Sequence, residues 1–239
     1  MSQEPLESFI RKWRERWPEW GIAEAFVPGA QRAQVLAWFA LLQELQEAAW
    51  AGPEPAPGLA KLAWWQEELG GWARGARRHP LGQALQRIDA GWEDLGRALA
   101  ALPSTRDPDP AEARHAGLQT WAAAVMASEA RLFGAQEGGQ PALDALVDGL
   151  RIECALSRGD LESALALQPA LDAPAGSALG RPRRLRRALL RERLRMLAAT
   201  PPPAGTPAPR VPPLRILWSS WRAARGGNAS LHGQRPADR

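Results

Sequence analysis

Lys61-Leu62-Ala63-Trp64-Trp65-Gln66-Glu67-Glu68-Leu69, closed by His79-Pro80-Leu81, reads as one α-helix and the opening of the next. The run holds no β-branched residue and no helix breaker before Gly70, and its alanine and leucine favour helix. Successive residues of a helix point in different directions, so only one of Trp64 and Trp65 can face squarely inward. The other packs on a neighbouring helix. Glu67 and Glu68 pose the same choice between an interior face and a surface salt bridge to Arg74 or Lys61.

Outward from this stretch the pattern stays helical. Apolar positions recur three and four residues apart almost throughout, and β-branched residues are few. The spacing predicts helices near 4–17, 21–26, 30–49, 58–75, 80–100, 108–134, 140–157, 160–168, 181–198 and 212–225. Breaks fall where glycine and proline cluster: Gly52 to Gly58, Pro103 to Pro110, and Gly138 to Pro141. Asp109-Pro110 with Glu112 reads as a helix start, since proline suits the first turn and acids suit the positive end of the dipole. Residues 1–198 form one helical domain, 199–213 a semi-extended proline-rich linker, 214–225 a returning C-terminal helix and 226–239 a disordered tail.

The 239 residues carry 12 tryptophans and no tyrosine. Arginine supplies 28 of the 30 basic residues, leaving Lys12 and Lys61 as the lysines. The net charge of +4 hides a split. Residues 1–180 hold 16 basic and 24 acidic side chains, whereas residues 181–239 hold 14 basic and 2 acidic ones. A basic arm that folds back on an acidic body fits this asymmetry, as does one that meets an anionic partner. The lone Cys154 excludes an intrachain disulfide and a cysteine-based zinc site. No signal-peptide pattern opens the chain and no run of 18 apolar residues occurs. A cytoplasmic location, or a peripheral one at the inner membrane surface, is the expectation.

The quoted stretch resembles squalene/phytoene synthases, whose K/R-L-x-W-W-x-E-E-L helix is followed by an H-P-x-x-x-A-L helix start. Phe26-Val27-Pro28, Arg32 and Trp38-Phe39-Ala40-Leu41-Leu42-Gln43-Glu44-Leu45 resemble the family's segment leading into its first aspartate-rich motif. Pro213-Leu214-Arg215-Ile216-Leu217-Trp218-Ser219-Ser220-Trp221-Arg222-Ala223-Ala224-Arg225 resembles the ending of bacterial members. The resemblance covers about 20–100 and 212–225. It implies an all-α, isoprenoid-synthase-type helical bundle or barrel, and head-to-head condensation of two prenyl diphosphates. It also implies magnesium bridging the diphosphate to two carboxylate clusters, because the leaving group departs only when its charge is neutralised. By position, the resemblance makes Arg32, Phe39, Gln43, Trp64 and Glu68 the substrate-binding candidates.

The carboxylates themselves are largely replaced. Without gaps, the three aspartates of the first motif fall on Gln46, Glu47 and Trp50, leaving Glu44 and Glu47 as candidate catalytic and metal-binding residues. The alternative for this pair is a solvated helix face opposite a core face of Trp38, Leu41, Leu42 and Leu45. For the second motif, Arg151, Cys154 and Arg158 stand where glutamine, asparagine and aspartate belong. Asp144 and Asp148 form a D-x-x-x-D pair, but about two turns too early. The leading expectation is therefore a non-catalytic squalene/phytoene-synthase-like protein acting as a prenyl-lipid-binding, regulatory or assembly factor, with no cofactor. The alternative is a magnesium-dependent prenyl-diphosphate transferase.

Residues 181–197 carry eight arginines around an apolar stripe at Leu185, Leu189 and Leu197. The readings are a helix on an anionic membrane surface, a nucleic-acid contact, or a barrel helix with an arginine outer face. Nucleic acid is the least favoured, since no aromatic residue is available for stacking. Trp13, Trp17 and Trp20 read either as a membrane-interface anchor or as core. No G-x-S-x-G or phosphate-loop pattern occurs, so nucleophile-elbow and nucleotide chemistry find no support.

Overall fold

A computed structural model describes residues 5–106, 111–134, 139–173, 179–203, 206 and 208–226. These are all-helical, with no strand among them. In chain order the helices are α1 (Leu6–Arg16), α2 (Trp20–Ala23), α3 (Gly29–Trp50), α4 (Pro55–Ala73), α5 (Gly82–Leu85), α6 (Trp92–Ala98), α7 (Ala111–Phe133), α8 (Gln140–Ser157), α9 (Leu161–Ala166), α10 (Gln168–Asp172), α11 (Arg181–Ala199) and α12 (Pro213–Arg225). The Asp109-Pro110 start and nearly all of the C-terminal tail lie outside the described residues.

α3 is the central element. From Val35 to Trp50 every residue except Glu47 is buried, polar Gln43, Glu44 and Gln46 included. A helix apolar on nearly every side belongs inside its domain, and α1, α4, α5 and α8 pack around this one. Trp38, Leu41, Leu42 and Leu45 are core, as their spacing predicts. Glu44 is buried too, which corrects the alternative of a solvated Glu44–Glu47 face.

Boundaries depart from expectation at α4, within 80–100, and at 160–168, where two short helices, α9 and α10, run on to Asp172. α4 starts at Pro55, three residues early, because Pro55 and Pro57 occupy its first turn, where no N–H partner is required. The helix expected over 80–100 is broken. Gly91 has φ +71, a left-handed conformation suited to glycine, and the Asp89 carboxylate accepts from its N–H at 3.0 Å.

The tryptophans build the core. Trp13, Trp20, Trp38, Trp50, Trp65, Trp72, Trp92 and Trp121 are fully buried, and Trp17 is 4% exposed. The Trp13–Trp20 segment is therefore core and not a membrane anchor. Trp65 is the inward member of its pair, while Trp64 is at the surface under the Arg78 guanidinium. Several indoles find buried acceptors: Trp38 donates to Glu129 at 2.8 Å and Trp50 to Thr105 at 2.9 Å.

After α11 the proline-rich segment returns, with Val211 buried, and α12 runs antiparallel to α11. Arg184 near the start of α11 donates to Ala223 near the end of α12 at 3.0 Å. No helix among the described residues is long and apolar enough to cross a membrane.

Candidate functional site

A cleft of about 770 Å³ opens between the α1–α2 turn, the second half of α3, the end of α8, α11 and the proline-rich segment. Its size falls within the range of roughly 300–1,000 Å³ typical of small-ligand pockets. Apolar walls come from Trp17, Trp50, Leu156, Leu161 and Leu197, with Pro202, Pro203 and Pro209 along one side. Polar groups come from Gln43, Gln46, Glu47, Glu153, Arg186 and Arg193.

The polar groups form a chain of paired charges. Arg186 donates through Nε to Glu153 Oε1 at 2.9 Å, and Gln46 donates to Glu153 Oε2 at 3.0 Å. Burial alone would raise the Glu153 pKa. The charge and hydrogen bond of Arg186, with help from Arg183 and Gln46, outweigh it and hold the carboxyl below its ordinary range. Arg186 also stacks 3.8 Å from the Trp17 ring centroid, and Arg193 stacks on the same ring at 3.9 Å. Arg193 completes the row with a two-point contact to Glu19 at 3.1 and 2.6 Å. Deeper in, Arg183 pairs with the buried Glu129, which also accepts from Trp38.

The first-motif carboxylates are just as fully engaged. Glu44 accepts from Lys12 at 2.7 Å on Oε1 and from Lys61 at 2.7 Å on Oε2. Glu47 accepts from Lys12 at 2.9 Å on Oε2 and from Gln43 at 3.1 Å on Oε1. The chain's lysines thus converge on the carboxylates that the sequence offers as metal ligands. Burial pushes the Glu44 pKa up, but the two ammonium groups overcome it and hold the carboxyl below its usual value. Glu44, Glu47 and Glu153 together present six carboxylate oxygens, and each already accepts from a lysine, arginine or glutamine.

Magnesium prefers octahedral oxygen coordination by a few carboxylates, phosphate and water, and here protein cations already neutralise the carboxylates it would use. The donor set here does not fit it. Among the described residues, no group of three or more histidine, cysteine, aspartate or glutamate side chains converges as metal ligands. Asp144 accepts from Gln140 at 2.7 Å and Asp148 lies 3.6 Å from Arg151, so the alternative acidic pair is tied up locally on α8. Cys154 is buried with its thiol pushed up by desolvation, and Arg158 is exposed.

Of the residues expected at the site, Gln43 and Glu47 line the cleft. The others lie elsewhere. Arg32 is exposed and donates to the Glu24 carbonyl at 3.1 Å. Phe39 is fully buried against Trp13 and Trp20. Trp64 belongs to the outer face of α4. Glu68 is 1% exposed and accepts from Trp72 at 2.8 Å, from the Arg78 and His79 backbone N–H groups at 2.7 Å each, and from the Arg78 side chain at 2.9 Å. It fixes the turn after α4. Glu67 is exposed, and its ion-pair partner is Arg78, 4.0 Å away, rather than Arg74 or Lys61.

α11 turns most of its arginines inward. Arg183 and Arg186 are buried, Arg184 and Arg187 donate to backbone carbonyls, and Arg195, the one exposed in this helix, pairs with Asp172 and Glu192. This is the basic arm folded on the acidic body, and it corrects the expectation of an arginine outer face over 181–197. The pairings of Arg183 with Glu129 and of Arg186 with Glu153 were not anticipated from the sequence. The signal that bore on them was the opposite charge of the two parts of the chain.

No family model, no curated protein and no solved structure matches this chain.

Proposed function

We propose that this protein is a squalene/phytoene-synthase-like helical bundle without prenyl-transfer activity, and that its cleft binds a prenyl lipid or prenyl diphosphate in a regulatory or assembly role. The observation that carries this reading is the occupation of all six oxygens of Glu44, Glu47 and Glu153 by protein donors. Ionising an allylic diphosphate requires carboxylates free to hold metal against the leaving group. Releasing them would strip the partner from the buried Arg186 and from the partly exposed Lys12 and Lys61, an exchange that is unfavourable above all at Arg186. The apolar walls and the arginines of the cleft suit a ligand with a hydrocarbon body and an anionic or polar head.

The test is diphosphate release from farnesyl and geranylgeranyl diphosphate with and without magnesium or manganese, alongside calorimetric titration of the same compounds without metal. Metal-independent binding with no release is the expected result. Metal-dependent release that disappears in Glu44→Gln or Glu47→Gln would overturn the reading and make the protein a transferase.

A further inference from the structure

α12 presents an uncovered apolar stripe. Leu214, Leu217, Trp218 and Trp221 are 79%, 47%, 60% and 39% exposed, and their i, i+3, i+4, i+7 spacing puts them on one side of the helix. The opposite side, Ile216, Ser219 and Ser220, is buried where α12 packs on α11 and α2. The stripe is therefore not a helix awaiting a place in the core; its core face is already filled. Trp218 and Trp221 stack with centroids 5.1 Å apart, and the Arg225 guanidinium lies 4.7 Å from the Trp221 centroid.

The charges around the stripe are of one sign. Arg215, Arg222 and Arg225 are exposed, none forms an ion pair among the described residues, and α12 contains no acidic residue. Most arginines of α11, by contrast, are turned inward or paired. Arg215, Arg222 and Arg225 thus set three unpaired positive charges on the same helix as the exposed Trp218 and Trp221.

We propose that α12 is an interfacial helix that docks the protein on an anionic phospholipid bilayer. Its 13 residues extend about 20 Å at 1.5 Å per residue, too short to cross the hydrocarbon layer, so the helix lies in the plane of the interface. Leu214, Leu217 and the two indoles enter the headgroup boundary while Arg215, Arg222 and Arg225 meet lipid phosphates. Attraction of this kind needs both parts, since each arginine near an anionic leaflet adds a small increment and the apolar stripe supplies the rest. The proposal stands apart from what the cleft binds.

The experiment is co-sedimentation of the full chain with phosphatidylcholine vesicles and with vesicles containing phosphatidylglycerol. Binding is expected with the anionic vesicles and is expected to weaken steeply with salt. Arg215→Glu/Arg222→Glu and Leu214→Ser/Trp218→Ser should each lower the partition coefficient by roughly tenfold or more with an unchanged far-UV spectrum. Brominated lipid should quench tryptophan fluorescence, and Trp218→Phe/Trp221→Phe should abolish the quenching while binding persists. Lack of sedimentation with anionic vesicles, or binding indifferent to both double variants, overturns the proposal. So does a dimer in analytical ultracentrifugation that Leu214→Ser/Trp218→Ser dissolves, which would make a second copy of the chain the occupant of the stripe.

Discussion

The Lys12 ammonium on α1 lies 2.7 Å from Glu44 Oε1 on α3, a protein cation set against a buried carboxylate. Lys61 on α4 takes the other oxygen, so three helices meet at one carboxylate. Removing both ammonium groups with Lys12→Met/Lys61→Met leaves Glu44 buried without a counter-charge. A loss of roughly 1–3 kcal/mol is expected, tempered because both lysines are partly exposed. The same pair sets a pH dependence. Glu44 titrates lower in the folded protein than in the unfolded chain, so the unfolded chain binds more protons in acid. The stabilisation is full above the unfolded value of about 4.3 and is lost as pH falls through the folded value. Urea unfolding between pH 3 and 7 should show a shallower acid slope in the double variant. An identical slope would remove the Lys12–Glu44–Lys61 cluster from the acid response.

The Arg186–Glu153 pair at the cleft floor should behave as a coupled buried unit. Arg186→Met strands a buried carboxylate and should cost about 3–5 kcal/mol. Adding Glu153→Gln removes that charge yet keeps an acceptor for Gln46. The double variant should therefore be more stable than the sum of the singles by roughly 0.5–3 kcal/mol. Denaturant titrations of the four proteins measure this coupling. Strict additivity would mean that the two groups do not interact in solution as they do at 2.9 Å.

Glu68 offers a way to separate a structural carboxylate from a ligand-binding one. Its hydrogen bonds all go to the α4 end and the turn that follows, and it does not line the cleft. Burial alone would raise its pKa, but those donors hold it below the ordinary range. Glu68→Gln loses charge-assisted bonds and turns one amide hydrogen towards a donor, at a cost of roughly 1–3 kcal/mol. Thermal unfolding should detect this loss, while prenyl diphosphate titrated into the folded variant should bind as in the parent protein. Weakened ligand binding at equal folding would return Glu68 to the site.

The helical class was legible because alanine, leucine and a three-to-four spacing act locally. The same is true of α1, α3, α8 and α11, whose bounds lie within about two residues of those expected. The break at Gly91 was not, since a single glycine in an apolar-periodic run is tolerated inside helices. The direction of the arginines was the larger loss. Arg183 and Arg186 lie 54 and 33 residues from Glu129 and Glu153, and no local pattern announces a partner so distant. A charged residue on a periodic helix defaults to solvent until its partner is placed. The lysines carried a better clue. In a chain whose other cations are all arginine, Lys12 and Lys61 both approach Glu44.

Gly58 explains how Lys61 reaches Glu44. An added Cβ at position 58 would stand 2.1 Å from the Ala48 carbonyl oxygen, so α4 lies directly against the backbone of α3 at this point. One turn further along α4 is Lys61, and one turn back along α3 is Glu44. The close approach and the ion pair are thus parts of the same helix contact. Gly58→Ala cannot be absorbed by a side-chain rotation, because the clash is with backbone; the first turn of α4 must move away. Overpacking of this kind costs about 1–3 kcal/mol or more, against the few tenths to 1 kcal/mol that alanine ordinarily gains over glycine in a helix. The substitution should therefore lower the unfolding midpoint, and it should cost less in a Lys61→Met background, where the contact it disturbs is already gone. Equal losses in both backgrounds would show that the tight backbone approach and the Lys61–Glu44 pair are independent.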